Sequence, residues 1–283
     1  MGRLRDQMKM DMELKNYSLR TMETYLGCVR GFAAYYGKSP EAMNHNEIRD
    51  YLYYLLKEKK ASQSAINQAY SALKFLYQTT LRREWDSLKI PRCKMRKRVP
   101  VVLSKQEVER LFSATRNLKH RAILMTIYSG GLRLGEATHL RVSDIDSERM
   151  TIKVRGKGNK DRYTLLGRRT LEILRIYWKV YHPVDWLFAS RRLDQPLSHS
   201  TVQKAFKEAL RRSGIKKRAS VHTLRHSFAT HLLEAGTDLY HIQRLLGHTT
   251  PSTTTVYLHV ARKDFGRIVS PIDLLHEPEE PVL

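Results

Sequence analysis

Six polar residues in the second half of the chain are of the types needed to break and remake a phosphodiester bond. Arg133 follows a glycine pair in SGGLRLGEATHLRVSDID (129–146), with Glu136 three positions on. Lys157 lies in GKGNKDR (156–162), with Lys153 and Lys160 as neighbours. His222 and Arg225 share VHTLRHSFATHLLEAG (221–236), while His248 and Tyr257 share LLGHTTPSTTTVYLHV (245–260). A phosphodiester is so inert that a catalyst must supply much of the ~8–23 kcal/mol by which enzymes lower barriers. The needs are an aligned nucleophile, neutralised phosphoryl oxygens and a proton for the leaving oxygen. Arg133 and Arg225 suit the second need, because a guanidinium fork hydrogen-bonds phosphate oxygens in two places. His248 can add a third donor to the non-bridging oxygens. Tyr257 can be the nucleophile if cations and a base assist a phenol that ordinarily titrates near ~10. His222 can take that proton, or return it in the reverse step. Glu136 is placed to fix the rotamer of Arg133 rather than to do chemistry.

Each residue has a plainer reading. Arginines in a basic protein often lie solvated at the surface, and Tyr257 could simply pack, as the other fourteen tyrosines can. The polar run Ser252-Thr253-Thr254-Thr255 before it argues instead for a polar helix start near a polyanion. A zinc site is imaginable, since His222 and His226 are at i, i+4 and His231, His241, His248 and His259 follow. Against it, the chain has no His-Glu-x-x-His helix and no cysteine pair, and Arg225 stands between the candidate ligands. No metal is expected, and no cofactor.

The elements that must position these groups read as mostly helical. Ser18 can cap a stripe from Met22 to Tyr36 that Gly37 ends. Asn46 precedes a second stripe, Ile48 to Leu56, and a third runs from about Ser62 through Leu76. The tyrosines in these stripes have core spacing. Residues 91–100, PRCKMRKRVP, hold five basic residues and a proline at each end, so they mark an extended domain boundary. Both a solvated linker and a segment lying along a phosphate backbone fit that composition. Ser104 to Glu107 form a capping-box pattern, and a helix from about His120 stops at Gly130-Gly131. Residues 150–155 and 161–166 read as a β-hairpin around Gly156, Gly158 and Asn159. Helices are expected at about 169–181, 200–213, 222–235, 238–246 and 252–260.

Composition narrows the class. Among 283 residues, 51 Lys and Arg face 28 Asp and Glu, a formal net charge of +23. Residues 1–100 carry ten of that excess and the remainder thirteen, so both halves are suited to hold one polyanion. Cys28, on a helical stripe, reads as a core thiol and Cys93 as free; two cysteines make no disulfide framework. No apolar run approaches the ~20 residues of a membrane span. The N-terminus, with Arg3, Arg5, Asp6 and Lys9, does not read as a signal peptide, so a cytoplasmic protein is expected.

Taken in order, Arg133, Lys157, His222-x-x-Arg225, His248 in Leu-Gly-His and Tyr257 nine positions later resemble the tyrosine recombinase, or phage integrase, family. The likeness is to its Xer-type branch, with integron-integrase features. It implies a mainly α fold with a small β-sheet. An N-terminal helical core-binding (SAM-like) domain would occupy 1–91, a basic linker 92–100, a catalytic domain 101–276 and a tail 277–283. It implies that Tyr257 attacks the scissile phosphate, forms a 3′-phosphotyrosine link and releases a 5′-hydroxyl, with no ATP or metal. Lys157 holds the family's place in Gly-Lys-Gly and is the expected general acid; Lys160 and Lys153 stay open as rivals. Lys94, Arg96, Lys97, Arg98 and Lys160 are the candidate DNA contacts. Expected partners are double-stranded recombination sites and three further protomers, identical or of a homologous recombinase, with no membrane. The segment after Tyr257 carries Ile268, Val269, Ile272, Leu274 and Leu275 for docking on a neighbour. Ser270 to Asp273 resemble the integron-integrase end, yet the long insertion of that branch is not visible. A role in a mobile element or in resolving chromosome dimers fits as well. A DNA-binding protein that does not cleave and a type IB topoisomerase are the competing classes.

Overall fold

The computed structural model describes residues 2–94, 99–156, 161–192, 194–248, 250 and 253–259. The chain divides into two compact units, Met1–Lys97 and Arg98–Leu283.

Four helices build the first unit. Helix α1 (Gly2–Leu14) buries Leu4, Met8 and Met12, a four-residue spacing that flanking charges hide in the sequence. Helix α2 (Leu19–Tyr36) starts where the Ser18 hydroxyl accepts from the Thr21 amide, and ends at Gly37, whose φ of 66° is the left-handed cap. Helix α3 (His45–Lys57) begins two residues before the expected point. Asn44, not Asn46, is its cap, accepting from the amides of Asn46 and Glu47 while Glu47 reaches back to the Asn44 amide. Helix α4 (Gln63–Phe75) starts at Ser62 and continues in one π turn, Leu76–Thr80. Met12, Phe32, Ile48, Leu73 and Leu76 form the centre of the core. Each such buried side chain contributes about 1.5–3 kcal/mol relative to exposure. Of the tyrosines in the expected stripes, Tyr51 and Tyr70 are buried and Tyr25 and Tyr36 half-buried; Tyr77 is buried as well, whereas Tyr35 and Tyr53 are exposed. Cys28 and Cys93 are partly buried free thiols. Residues 91–94 have no regular secondary structure, and the Cys93 carbonyl accepts from Asn67 Nδ2 at 2.9 Å. Lys94 is exposed; Arg96, Lys97 and Arg98 lie outside the described residues.

In the second unit, helices surround a small sheet. Helix α5 (Lys105–Ala114) has the Ser104/Glu107 capping box. Helix α6 (Leu118–Gly130) leads through Gly131 into the short α7 (Leu134–Thr138). Strands β1 (Ile145–Asp146), β2 (Thr151–Val154) and β3 (Arg162–Leu165) form an antiparallel sheet in that order, with Ile152 opposite Thr164. Two residues are too few to show alternation, so β1 left no signal in the sequence. Helices α8 (Arg168–Tyr181), α9 (His199–Arg212), α10 (Val221–Glu234) and α11 (Leu239–Leu246) follow. Instead of a helix over 252–260, the described residues hold a 3-10 stretch, Thr255–His259. Helix α10 is buried on most sides, from Val221 and Leu224 through Ala229, and packs on α6, α9 and α11. It is the axle on which the other site elements turn inward. Among the described residues, no helix is long and apolar enough to cross a membrane.

Candidate active site

Arg225 is the deepest charged group in the catalytic unit, with 1% of its side chain exposed. Its Nη1 donates to the Gly131 carbonyl at 2.7 Å, and its Nη2 to the Leu246 carbonyl at 2.7 Å. Nη2 also lies 3.0 Å from His248 Nε2. The Gly131 carbonyl is available because the chain reverses there at φ 59°, hard against Phe228. A Cβ would sit 2.3 Å from the Phe228 ring, so only glycine fits. Burial, then the charge of Arg133, pulls the Arg225 guanidinium down to about 10, which leaves it charged at neutral pH.

Arg133 stands at the head of α7. Its amide donates to Glu136 Oε2 at 2.7 Å and its Nη1 to Oε1 at 2.8 Å, while 45% of the side chain stays exposed. Glu136 therefore does hold Arg133, but it does more. Arg162, at the start of β3, places Nη1 2.9 Å from Oε1 and Nη2 2.8 Å from Oε2 of the same carboxylate. Arg225 Nη1 is 3.8 Å away. Burial pushes the Glu136 carboxyl up, yet the hydrogen bonds and charges of Arg162 and Arg133 outweigh it and hold the group at about 2. Three guanidiniums around one carboxylate leave an uncompensated positive charge, which is an anion site.

His248 follows Gly247, the left-handed cap of α11. A guanidinium can only donate, so His248 Nε2 accepts from Arg225, and Nδ1–H faces Thr254 Oγ1 at 2.8 Å. Both ring nitrogens are engaged inside the protein. The expected third donor to a phosphate is thus, in this arrangement, a partner that steadies Arg225. Burial first, then the neighbouring arginines, draws its pKa down to about 4.

Tyr257 packs with Phe228, Ile242 and Leu246 and is 2% exposed. Its hydroxyl lies 3.1 Å from His226 Nδ1. The place expected for His222 is therefore taken by His226, and the His222 ring packs edge-on against it with centroids 4.5 Å apart. Burial raises the phenol's pKa although Arg225 and Arg133 pull it down. Burial likewise lowers His226 to about 4, helped by His222 and Arg225, and lowers His222, helped by the same arginine and Arg133.

The fold thus gathers Arg133, Glu136, His222, Arg225, His248 and Tyr257 into one network of contact and charge. Lys157 and Lys160 lie outside the described residues, as does the tail. The network also contains Arg162, His226 and Thr254, which the sequence reading did not single out as members. His226 had entered it only as a metal ligand; among the described residues no group of three His, Cys, Asp or Glu is arranged to hold a metal ion. The signal for Arg162 was present in β3, whose inward positions are Arg162 and Thr164 while Tyr163 and Leu165 face out.

Residues 101–264 match the phage integrase family, and residues 4–87 match the phage integrase N-terminal SAM-like domain. An integrase/recombinase of Escherichia coli is 35% identical, over 95% of this chain and 93% of its own. The tyrosine recombinase XerC of Halalkalibacterium halodurans is 34% identical, over 88% and 89%. In fold, the chain is similar to a lambda integrase dimer bound to a COC′ core site. That match has a TM-score of 0.74 at 21% identity and covers 95% of this chain and 98% of the other.

Proposed function

Since this chain belongs to the phage integrase family and is a tyrosine recombinase, we propose that it cuts and rejoins duplex DNA at specific sites through a 3′-phosphotyrosine link to Tyr257. The observation that carries the assignment of residues is the Arg133–Glu136–Arg225–His248 network, with Tyr257 hydrogen-bonded to His226 and within the electrostatic reach of Arg225 and Arg133. In the reaction, the scissile phosphate enters beside the exposed Arg133 fork, and Arg225 backs it from below. The Tyr257 oxygen bonds to phosphorus, and the bond from phosphorus to the 5′-oxygen breaks. The phenolic proton passes to the His226–His222 pair, and Lys157 delivers a proton to the departing 5′-oxygen. The energy of the broken ester is kept in the new one. A 5′-hydroxyl from a partner strand reverses the step, so neither ATP nor metal enters. For Tyr257 to reach DNA, the phosphate must approach the hydroxyl oxygen while the hydroxyl still faces His226.

Residues 1–91 serve as the core-binding domain and 101–276 as the catalytic domain. The stretch 92–100 follows the DNA backbone through Lys94, Arg96, Lys97 and Arg98. The +23 charge supports binding of DNA by both halves. Four protomers act on paired sites, two at a time, in the cytoplasm, and the apolar segment after Tyr257 docks on a neighbour.

Footprinting on DNA flanking the gene locates the site, and incubation with that site in EDTA then tests the reading. Strand exchange between two copies of the site is the expected result. Complete inhibition by the chelator overturns the mechanism, and relaxation of any plasmid without site dependence reassigns the protein as a topoisomerase.

A further inference from the structure

Among the described residues Arg162 makes three hydrogen bonds, all of them to groups inside the protein. Two go to the two oxygens of Glu136. The third runs from Nε to the Leu245 carbonyl at 2.9 Å. That carbonyl belongs to the last turn of α11, where helix carbonyls lack intrahelical partners and the dipole favours a cation. The next carbonyl, Leu246, takes Arg225. Two guanidiniums therefore cap one helix end through adjacent residues, and both meet the same carboxylate. The path is tight: a Cβ on Gly247 would lie 2.8 Å from Arg162 Cδ, and Gly247 directly precedes His248. Arg162 keeps 12% of its side chain exposed, against 45% for Arg133.

We propose that Arg162 is a positioning residue for the strand-cleavage reaction, acting through Glu136 and the α11 terminus rather than on DNA. The assignment rests on the recombinase reading above. Glu136 left alone with Arg133 would take up that guanidinium as a closed ion pair. With Arg162 as a half-buried fork on both oxygens, Arg133 holds the carboxylate through its amide and Nη1, and no other described residue takes its remaining donors, which leaves them for a phosphate. The same side chain fixes the α11 end, and with it the Leu246 carbonyl and His248 that register Arg225. A lysine cannot reproduce this, since one ammonium is a point charge and not a three-way planar fork.

The test uses the full-length protein and a nicked suicide substrate, with DNA affinity and the rate of covalent-adduct formation at saturating DNA measured separately. Arg162→Gln should slow adduct formation on the order of 10–100-fold, as loss of an outer partner does in other sites, and leave DNA affinity within about threefold. It should also move the acid limb of the rate profile to higher pH, because Glu136 loses the partner that keeps it ionised. Arg162→Gln should slow the Glu136→Gln variant by much less than it slows the wild type, since part of the arginine's effect runs through the carboxylate and only the α11 contact remains to be lost. If Arg162→Gln does not fold, Arg162→Lys decides the matter. It keeps the charge and should still slow the rate about tenfold. A wild-type rate in the lysine variant, multiplying losses in the double variant, or an affinity that falls in step with the rate overturns the proposal. Failure of the wild type itself to form an adduct would sink the recombinase assignment instead, a separate outcome.

Discussion

The Tyr257 hydroxyl and His226 Nδ1 are 3.1 Å apart, inside a pocket that leaves the tyrosine almost no contact with solvent. A phenol is a poor nucleophile until its proton has somewhere to go, and here the group in contact with it is His226, with His222 one ring further out. His226→Ala should therefore slow adduct formation by about 100-fold, the lower range for loss of a general base, with DNA affinity held. Single-turnover cleavage checks this. A wild-type rate in that variant would return the proton to His222.

The site imidazoles His222, His226 and His248 are all shifted down by burial, and this makes stability depend on pH. His226 and His248 fall from an ordinary 6.5 to about 4, chiefly through burial. Between those values the unfolded chain binds more protons than the folded one, so stability rises with pH across the window. The stability is fully present above about 6.5 and drains away as pH falls toward 4. Glu136, held at about 2 against an ordinary 4.5, adds slope of the same sign at the acid end of the window, where the unfolded carboxyl takes up protons that the folded one does not. Melting temperatures from pH 7 to pH 4 should show the decline, and His226→Gln with His248→Gln should make it shallower. An equally steep decline in the double variant would place its origin elsewhere.

Gly131 offers a check on how the site is built. Alanine there must adopt a left-handed conformation and force the Phe228 ring aside. Backbone strain and overpacking together should cost about 2–4 kcal/mol, and the displaced carbonyl should disturb Arg225 as well. Gly131→Ala is expected to melt lower and to cleave more slowly. Unchanged melting would mean that the α6–α7 reversal is not as tight as described.

Much of this was legible in the sequence, and the exceptions have physical causes. The caps at Ser18, Ser62 and Ser104 and the stop at Gly131 were readable because local hydrogen bonds decide them. Helix α1 and strand β1 were missed because a methionine stripe among charges, or two residues alone, carry little periodic signal. The site fared likewise. Arg133, Arg225, His248 and Tyr257 stood out by type and spacing, while Arg162 hid in a strand that seemed to need only a turn. Which histidine meets the tyrosine depends on how α10 packs against the 3-10 stretch, a tertiary matter that i, i+4 spacing leaves open.

The choice of general acid is open to a chemical test. Lys157→Ala should lose cleavage of an ordinary site, because the 5′-oxygen then departs unprotonated. A 5′-bridging sulfur, which leaves without a proton, should restore it. Lys160→Ala should cleave both substrates. Rescue confined to Lys160→Ala would move the acid to that lysine.

In the proposed reaction Tyr257 becomes esterified to the 3′ end of a cut strand, and peptide mapping tests this step directly. Wild type and Tyr257→Phe should be incubated with the nicked site, denatured, digested and read by mass spectrometry. The wild type should yield a nucleotide-bearing peptide containing Tyr257, and Tyr257→Phe should show full DNA binding with no adduct. An adduct on any other residue, or one that survives Tyr257→Phe, would contradict this step.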